Sequence, residues 1–304
     1  MNTIRTQKLS WIDIKNPDKK DLAYLKENFS FHPLTLEEVI SPTLRPRVER
    51  FDNYLYLVIH FPFYNLKKQT TESREIDFLI TRDTLITIRY AEFPPFKEFW
   101  EKYQIDDMAK ERSFGGSPAY LLYSILENLY TFSLRQIDHI TKKINHLEDA
   151  MFEEMGSEKM VEKISLARRD IFDFRRAIEP QTTIFDELKT KGTEFFGKEM
   201  EPYFVNIVSS YMRVWNLLEN HKETIESLRE TNDSLVSNRT SRIMKILTVF
   251  TVIIFPLTLL ANVLGRGATS LPLANYEYGF WIVFAIMFMA TLGMLIFFKW
   301  KKWF

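Results

Sequence analysis

At about 100° per residue, one helical face in the C-terminal third of the chain collects Glu219, Glu226, Glu230 and Asp233, then Ser237, Met244, Leu247, Thr251, Phe255, Thr258 and Asn262. Carboxylates give way to hydroxyls and an amide. Carboxylates attract cations, and hydroxyl and amide oxygens can replace part of an ion's hydration shell. On a membrane helix such a stripe either hydrogen-bonds a neighbouring helix or lines a water-filled path, because facing lipid is costly. The pattern alone leaves both open. A supercoiled rod drifts by about 20° per heptad, so the phase is secure only from Met244 to Asn262.

Other chemistries find little support. The chain has no cysteine, which excludes disulfides, thiolate nucleophiles and Cys-based metal sites. Its five histidines, His32, His60, His139, His146 and His221, form no HExxH motif and no cluster with carboxylates at ligand spacing. No catalytic triad or Gly-rich phosphate loop is present, so an enzyme is not expected. The 304 residues carry 40 basic and 40 acidic side chains, a balance that gives no whole-chain attraction to nucleic acid.

The charges are unevenly placed. Residues 246–265 (ILTVFTVIIFPLTLLANVLG) and 279–298 (GFWIVFAIMFMATLGMLIFF) contain no Asp, Glu, Lys or Arg. Each run has the roughly 20 residues a helix needs to cross a bilayer core. Arg239, Arg242 and Lys245 precede the first run and Lys299, Lys301 and Lys302 follow the second, whereas residues 266–278 carry just Arg266 and Glu277. The positive-inside rule therefore predicts a hairpin with both termini cytoplasmic, and Trp281, Trp300 and Trp303 suit interfacial anchoring. The opening residues MNTIRTQKLSWIDIKN lack a contiguous apolar stretch, so no cleavable signal peptide is expected.

The segment before the spans divides by period. Strands are expected at 9–14, 54–61, 76–80 and 84–89, the last two as a hairpin around Arg82-Asp83; helices are expected at 18–28, capped near Asn16, and at 35–40 after Pro33. This small α/β part ends near Pro94-Pro95. From Pro118 an apolar stripe (Leu122, Ile125, Leu129, Phe132, Ile137, Ile140, Ile144, Leu147, Met151) predicts a long helix, and a second stripe (Ile164, Ala167, Ile171, Phe174, Ile178) predicts its antiparallel partner. The acidic residues 148–154 lie at the tip, as a solvated helix end or an ion-attracting one. No Gly or Pro then interrupts the chain from Tyr203 to Pro256, which predicts one rod from cytoplasm into membrane, about 60 residues and roughly 90 Å long. Such a rod needs partners, and two spans cannot enclose a pore alone.

Several stretches resemble the CorA-type divalent-cation (Mg²⁺/Co²⁺) transporters: RPRVERFDNYLYLV (45–58), IDFL (76–79), the pairs Arg168-Arg169 and Arg175-Arg176, SLVSNR (234–239), MKILT (244–248), FPLTLLA (255–261), YGFWI (278–282) and the ending FKWKKWF (298–304). The resemblance implies an α+β membrane protein: a cytoplasmic α/β domain (1–116), an antiparallel helical pair (117–198), a stalk helix (199–245), a pore-lining first span (246–264), an extracytoplasmic loop (265–278), a second span (279–298) and a basic cytoplasmic tail (299–304). It implies a homopentamer in the inner membrane that moves divalent cations, Mg²⁺ with Co²⁺ and Zn²⁺ as further candidates, with no resident cofactor and with membrane lipid as its surroundings. The pore-facing residues would be Ser241, Met244, Leu247, Thr251, Phe255, Thr258 and Asn262. Glu230 would face the stalk axis; Glu230 and Asn262 are the candidate metal ligands. Lys299, Lys301 and Lys302 would form a basic collar.

Two departures bear on this reading. Where the family carries Gly-Met-Asn after the first span, this chain has Gly265-Arg266-Gly267; where it often has Tyr-Phe-x-Asp on the stalk, this chain has Tyr203-Phe204-Val205-Asn206. A ring of Arg266 side chains would raise the entry barrier for a divalent cation unless they pair with Glu277, and a neutral amide is a weak ligand for a hard cation. Selectivity and gating are therefore expected to differ from the family's. Two alternatives stand beside the transporter reading. One is a CorA-like membrane effector of the kind associated with type III CRISPR defence, gated by a nucleotide-derived second messenger such as SAM-AMP. The other is a non-conducting homologue. Phe255 is a candidate hydrophobic gate, or a packing residue between helices.

Overall fold

The β-branched and aromatic runs of the first 90 residues build a mixed sheet. In this computed structural model, which describes residues 1–6, 9–43, 45–65, 68, 70–105, 116–151, 157–266 and 278–301, the strands are β1 (Asn2–Arg5), β2 (Ser10–Lys15), β3 (Arg47–Arg50), β4 (Leu55–Asn65), β5 (Thr70–Ile80) and β6 (Thr84–Arg89). Their order is β1-β2-β6-β5-β4-β3. Only β2 and β6 pair in parallel; β4 and β5 form a long hairpin from Leu55↔Ile80 to Asn65↔Thr70. The first eight residues of β4 are buried, as expected of a central strand covered on both faces.

Helices α1 (Lys19–Asn28) and α2 (Pro33–Glu38) close one face, where Leu25, Phe31, Leu36 and Val39 join Tyr54, Tyr56, Val58, Leu79, Ile86 and Ile88 in one core. The cap of α1 is Asp18 rather than Asn16: its carboxylate accepts from the N–H groups of Lys20 and Asp21, while Asp21 reaches back to the Asp18 N–H. Asn16 takes a different role. It sits at φ 49° and donates its N–H to the Arg89 carbonyl at 2.7 Å, tying the end of β2 to β6. Pro94, expected near the end of this part, instead begins α3 (Pro94–Ile105), whose Phe96 and Trp100 pack edge-on against Trp11.

Helices α4 (Pro118–Met151) and α5 (Glu158–Ile178) lie against β4 and β5. A single 3₁₀ turn (Glu179–Gln181) leads into α6 (Thr182–Phe196), an element the sequence pattern did not separate from the helical pair. Gln181 is buried and satisfied: it donates to the carbonyls of His60 and Ala177 and accepts from the Tyr130 hydroxyl. Gly192 lets α6 approach the next helix, because a Cβ there would lie 2.7 Å from the Phe204 ring.

That next helix, α7, runs 66 residues from Glu201 to Arg266 and passes through Pro256 without a break; α8 (Gly279–Trp300) follows. The described residues fall into two compact units that divide within α7, after Arg229. In the second unit, α7 and α8 each contain a stretch long and apolar enough to cross a membrane, and nearly all of both stretches is exposed in a single chain.

Candidate functional site

The apolar half of α7 has one covered side. Val249 is buried at 3 % exposure, and Ile253, Pro256 and Leu257 are half-buried. At about 100° per residue these four residues centre about 180° away from the centre of Ser241, Met244, Leu247, Thr251, Phe255, Thr258 and Asn262. All seven of those residues are exposed, Phe255 at 69 %. The stripe read from the sequence thus lies opposite the covered residues, within a broad uncovered surface that also exposes Ile243, Phe250, Val252, Ile254 and Leu259.

Three polar members of the stripe are arranged alike. Thr251 donates its hydroxyl hydrogen to the Leu247 carbonyl at 2.9 Å, Thr258 to Ile254 at 2.8 Å, and Asn262 its amide nitrogen to Thr258 at 2.9 Å. A hydroxyl has one hydrogen and two lone pairs. With that hydrogen committed to the backbone, the side chain offers acceptor capacity outward. Oxygen acceptors on an exposed face suit a cation, or the water of its hydration shell, and the two threonines then offer an anion no hydroxyl donor.

The carboxylates earlier on α7 separate into two groups. Glu219 pairs with Arg175 of α5, whose guanidinium also lies 4.9 Å over the Trp215 ring, and has Lys222 at 3.7 Å. Glu226 lies 3.7 Å from Arg168. These two acids therefore form a seam with α5 rather than a continuation of the open stripe, because arginines of the packed neighbour face them. Glu230 and Asp233 remain exposed. Among the described residues, no three acidic or histidine side chains converge closely enough to hold a metal ion, at Glu230 or elsewhere.

At the start of α7 the sequence missed two aromatic partners. Tyr120 of α4 donates its hydroxyl to Tyr203 at 2.9 Å, and Tyr123 makes a long 3.5 Å contact to the side-chain oxygen of Asn206. Burial and the nearby Glu127 push the Tyr123 phenol up to about 12. Asn206 itself is exposed, its amide presented beside a tyrosine cluster. These tyrosines sit at i and i+3 on a helix already credited with an apolar stripe, so only the fold brings them to Asn206.

Lys299 and Lys301 are exposed, the latter's Nζ 5.9 Å from the Trp300 ring. Gly265 and Arg266 form the last residues of α7. Gly267, Glu277, Lys302, the loop after Arg266 and the acidic tip after Met151 lie outside the described residues. A separate cluster, Glu75 and Asp77 with His60, Tyr56 and Tyr90, was also missed; its only sequence signal was two acids at alternate positions of an apolar strand.

Comparison with known proteins bears on the family and the fold. The model of the family described as CorA-like Mg²⁺ transporter protein matches residues 6–302. The chain is 28 % identical to the putative metal ion transporter YfjQ of Bacillus subtilis, over 97 % of this chain and 89 % of that protein. It is 27 % identical to the cobalt/magnesium transport protein CorA of Thermotoga maritima, over 97 % and 83 %. The complete structure of the CorA magnesium transporter from Methanocaldococcus jannaschii superposes with a TM-score of 0.83 over 100 % of this chain and 95 % of the other, at 22 % identity, which is a likeness of fold.

Proposed function

The chain belongs to the CorA-like Mg²⁺ transporter family, and from that premise we propose that it forms a homopentameric channel in the inner membrane that moves divalent cations along the Ser241-to-Asn262 face of α7. Mg²⁺ is the first candidate substrate, with Co²⁺ and Zn²⁺ beside it. Both termini face the cytoplasm. The observation that carries the reading is that Thr251, Thr258 and Asn262 lie on one exposed stripe of an otherwise apolar helix and hydrogen-bond back to it, leaving their oxygens as acceptors. A lone hairpin would expose those oxygens to lipid at a cost; a ring of copies turns them toward water.

The path has distinct stations. Asn262, at the outer end, supplies a ring of amide oxygens one turn before Gly265, where the family's Gly-Met-Asn is replaced by Gly265-Arg266-Gly267. Met244, Leu247 and Phe255 make apolar constrictions that pass ions poorly when narrow. Glu230 and Asp233 concentrate cations at the cytoplasmic approach, and Lys299, Lys301 and Lys302 form a collar that opposes it. Arg266 side chains around the mouth raise the entry barrier for a divalent ion, and Asn206 in place of an aspartate weakens feedback by intracellular metal. Selectivity and gating therefore depart from those of relatives that keep both motifs.

Ion flux into proteoliposomes, measured separately for Mg²⁺, Co²⁺, Zn²⁺, K⁺ and Cl⁻, tests this. Saturable divalent flux in the unmodified protein is expected, and Arg266→Met/Gly267→Asn should raise it. Flux that begins only on addition of a nucleotide second messenger would favour a messenger-gated effector instead, and no flux from either protein would favour a non-conducting homologue.

A further inference from the structure

A cavity of about 540 Å³ lies between the sheet and the last turns of α5, within the first compact unit. One wall carries His60 of β4 with Thr71, Ser73 and Glu75 of β5, which alternate along the strand and so share one face. The opposite wall carries Asp173, Arg176 and Ala177, spaced to share one face of α5. Pro42 and Thr43 close a third side.

Buried hydrogen bonds fix these walls. Gln181, just after α5, donates to the carbonyls of His60 at 2.5 Å and Ala177 at 2.6 Å, which ties the helix wall to β4. Glu75 accepts the Thr43 N–H at 2.6 Å and lies 2.7 Å from His60 Nε2, and that nitrogen is 3.1 Å from the Thr43 carbonyl. The third side is thereby tied to the sheet. A cavity with walls already ordered loses little conformational freedom when a ligand enters.

Two of the charged side chains at this cavity already have partners. Arg74 pairs with Glu72 at 2.6 Å and lies over the Phe63 ring at 5.4 Å. Both oxygens of Glu75 are engaged, one by Thr43 and the other by His60. The remaining two are different. Among the described residues, neither Asp173 nor Arg176 has an ion pair within 4.0 Å or a side-chain hydrogen bond. Arg176 is exposed and Asp173 half-buried. Burial pushes the Asp173 carboxyl above its ordinary value despite Arg169 and Arg176, as for a carboxylate short of positive partners.

The cavity therefore offers one free guanidinium and one free carboxylate, about one helical turn apart on the same wall. A simple anion would meet Asp173, and a simple cation would meet Arg176. A ligand that carries both charges close together answers both. A guanidinium matches a carboxylate with two parallel hydrogen bonds, which favours that group over a monatomic anion.

We propose that this cavity binds a free α-amino acid, with its carboxylate on Arg176, its ammonium on Asp173 and its side chain toward Thr71 and Ser73. The site belongs to α5 and the sheet, so it stands independently of conduction along α7.

The test uses thermal unfolding and calorimetric titration of the full-length protein in detergent. The common L-amino acids are added one at a time at about 10 mM, beside inorganic phosphate. At least one amino acid should raise the midpoint by about 3 °C. Its amine analogue without the carboxylate and its acid analogue without the ammonium should both fail in the unmodified protein. Arg176→Gln and Asp173→Asn should each weaken the affinity by at least about tenfold, because each leaves one ligand charge unpaired. The analogue comparison decides the matter even where a variant is unstable. The proposal is overturned if no amino acid shifts the midpoint, if the shift persists in both variants, or if phosphate or either analogue reproduces it.

Discussion

Asn262 donates its side-chain nitrogen to the carbonyl of Thr258, one turn earlier on α7, at 2.9 Å. The bond engages one of the two amide hydrogens with the helix backbone and leaves the side-chain oxygen as an acceptor. Asn262→Leu removes that oxygen from every copy in a ring and should lower divalent flux by at least about tenfold, since each 1.4 kcal/mol of lost stabilisation is a factor of ten. Asn262→Asp should instead tighten Co²⁺ binding, read as a lower half-saturating concentration. Equal flux in all three proteins would remove Asn262 from the path.

Phe255 is the most exposed of the large apolar residues on the stripe, at 69 %. A phenyl ring left so open in one chain can face lipid or another copy, and on a stripe that lines a path it closes a dewetted constriction. Phe255→Ala should then leak ions in the resting state while the purified assembly keeps its size. If flux is unchanged and the assembly dissociates, the ring packs between helices and does not gate.

The sequence made the span legible because a membrane helix has two simple rules, length and polarity, and both can be counted from Ile246 to Asn262. It made β4 legible for a related reason: a run of eight residues in which all but His60 are apolar or aromatic has no other good place than the centre of a sheet. The acidic stripe upstream failed at Glu219 and Glu226 because a helix face says nothing about what packs on it, and Arg175 and Arg168 arrive from α5. The cap of α1 was misjudged by two residues because Asn16 and Asp18 are both good caps in isolation. The register of β2 on β6 gives Asn16 another task, the bond to the Arg89 carbonyl.

Arg175 is the residue on that seam whose loss should cost most. It is 8 % exposed, pairs with Glu219 and lies over Trp215. Arg175→Ala leaves Glu219 facing an apolar helix junction without its cation, which costs about 2–4 kcal/mol for a partly buried pair. The unfolding midpoint should fall by about 5–10 °C. Ion selectivity, measured below that midpoint, should not change, because the seam is separate from the exposed stripe. Changed selectivity with an unchanged midpoint would place Arg175 in the conduction machinery instead.

Two buried titratable groups should impose opposite pH slopes on stability. His221 of α7 has its Nε2 2.8 Å from the Thr141 hydroxyl, and desolvation holds its imidazole below the ordinary 6.5. Unfolding then takes up a proton as pH falls through that range, so its contribution is present above 6.5 and lost on acidification. Asp77 is raised from an ordinary 3.8, by burial first and by Glu75 second. Unfolding releases its proton, so its contribution is present at acid pH and declines as pH rises toward the folded value. Thermal unfolding of the full-length protein should show Asp77→Asn removing a decline in stability that begins as pH rises past 3.8, and His221→Gln removing a loss that begins as pH falls below 6.5, each by about 2–4 °C. If Asp77→Asn instead removes a loss of stability on acidification, Asp77 is ionised in the folded state.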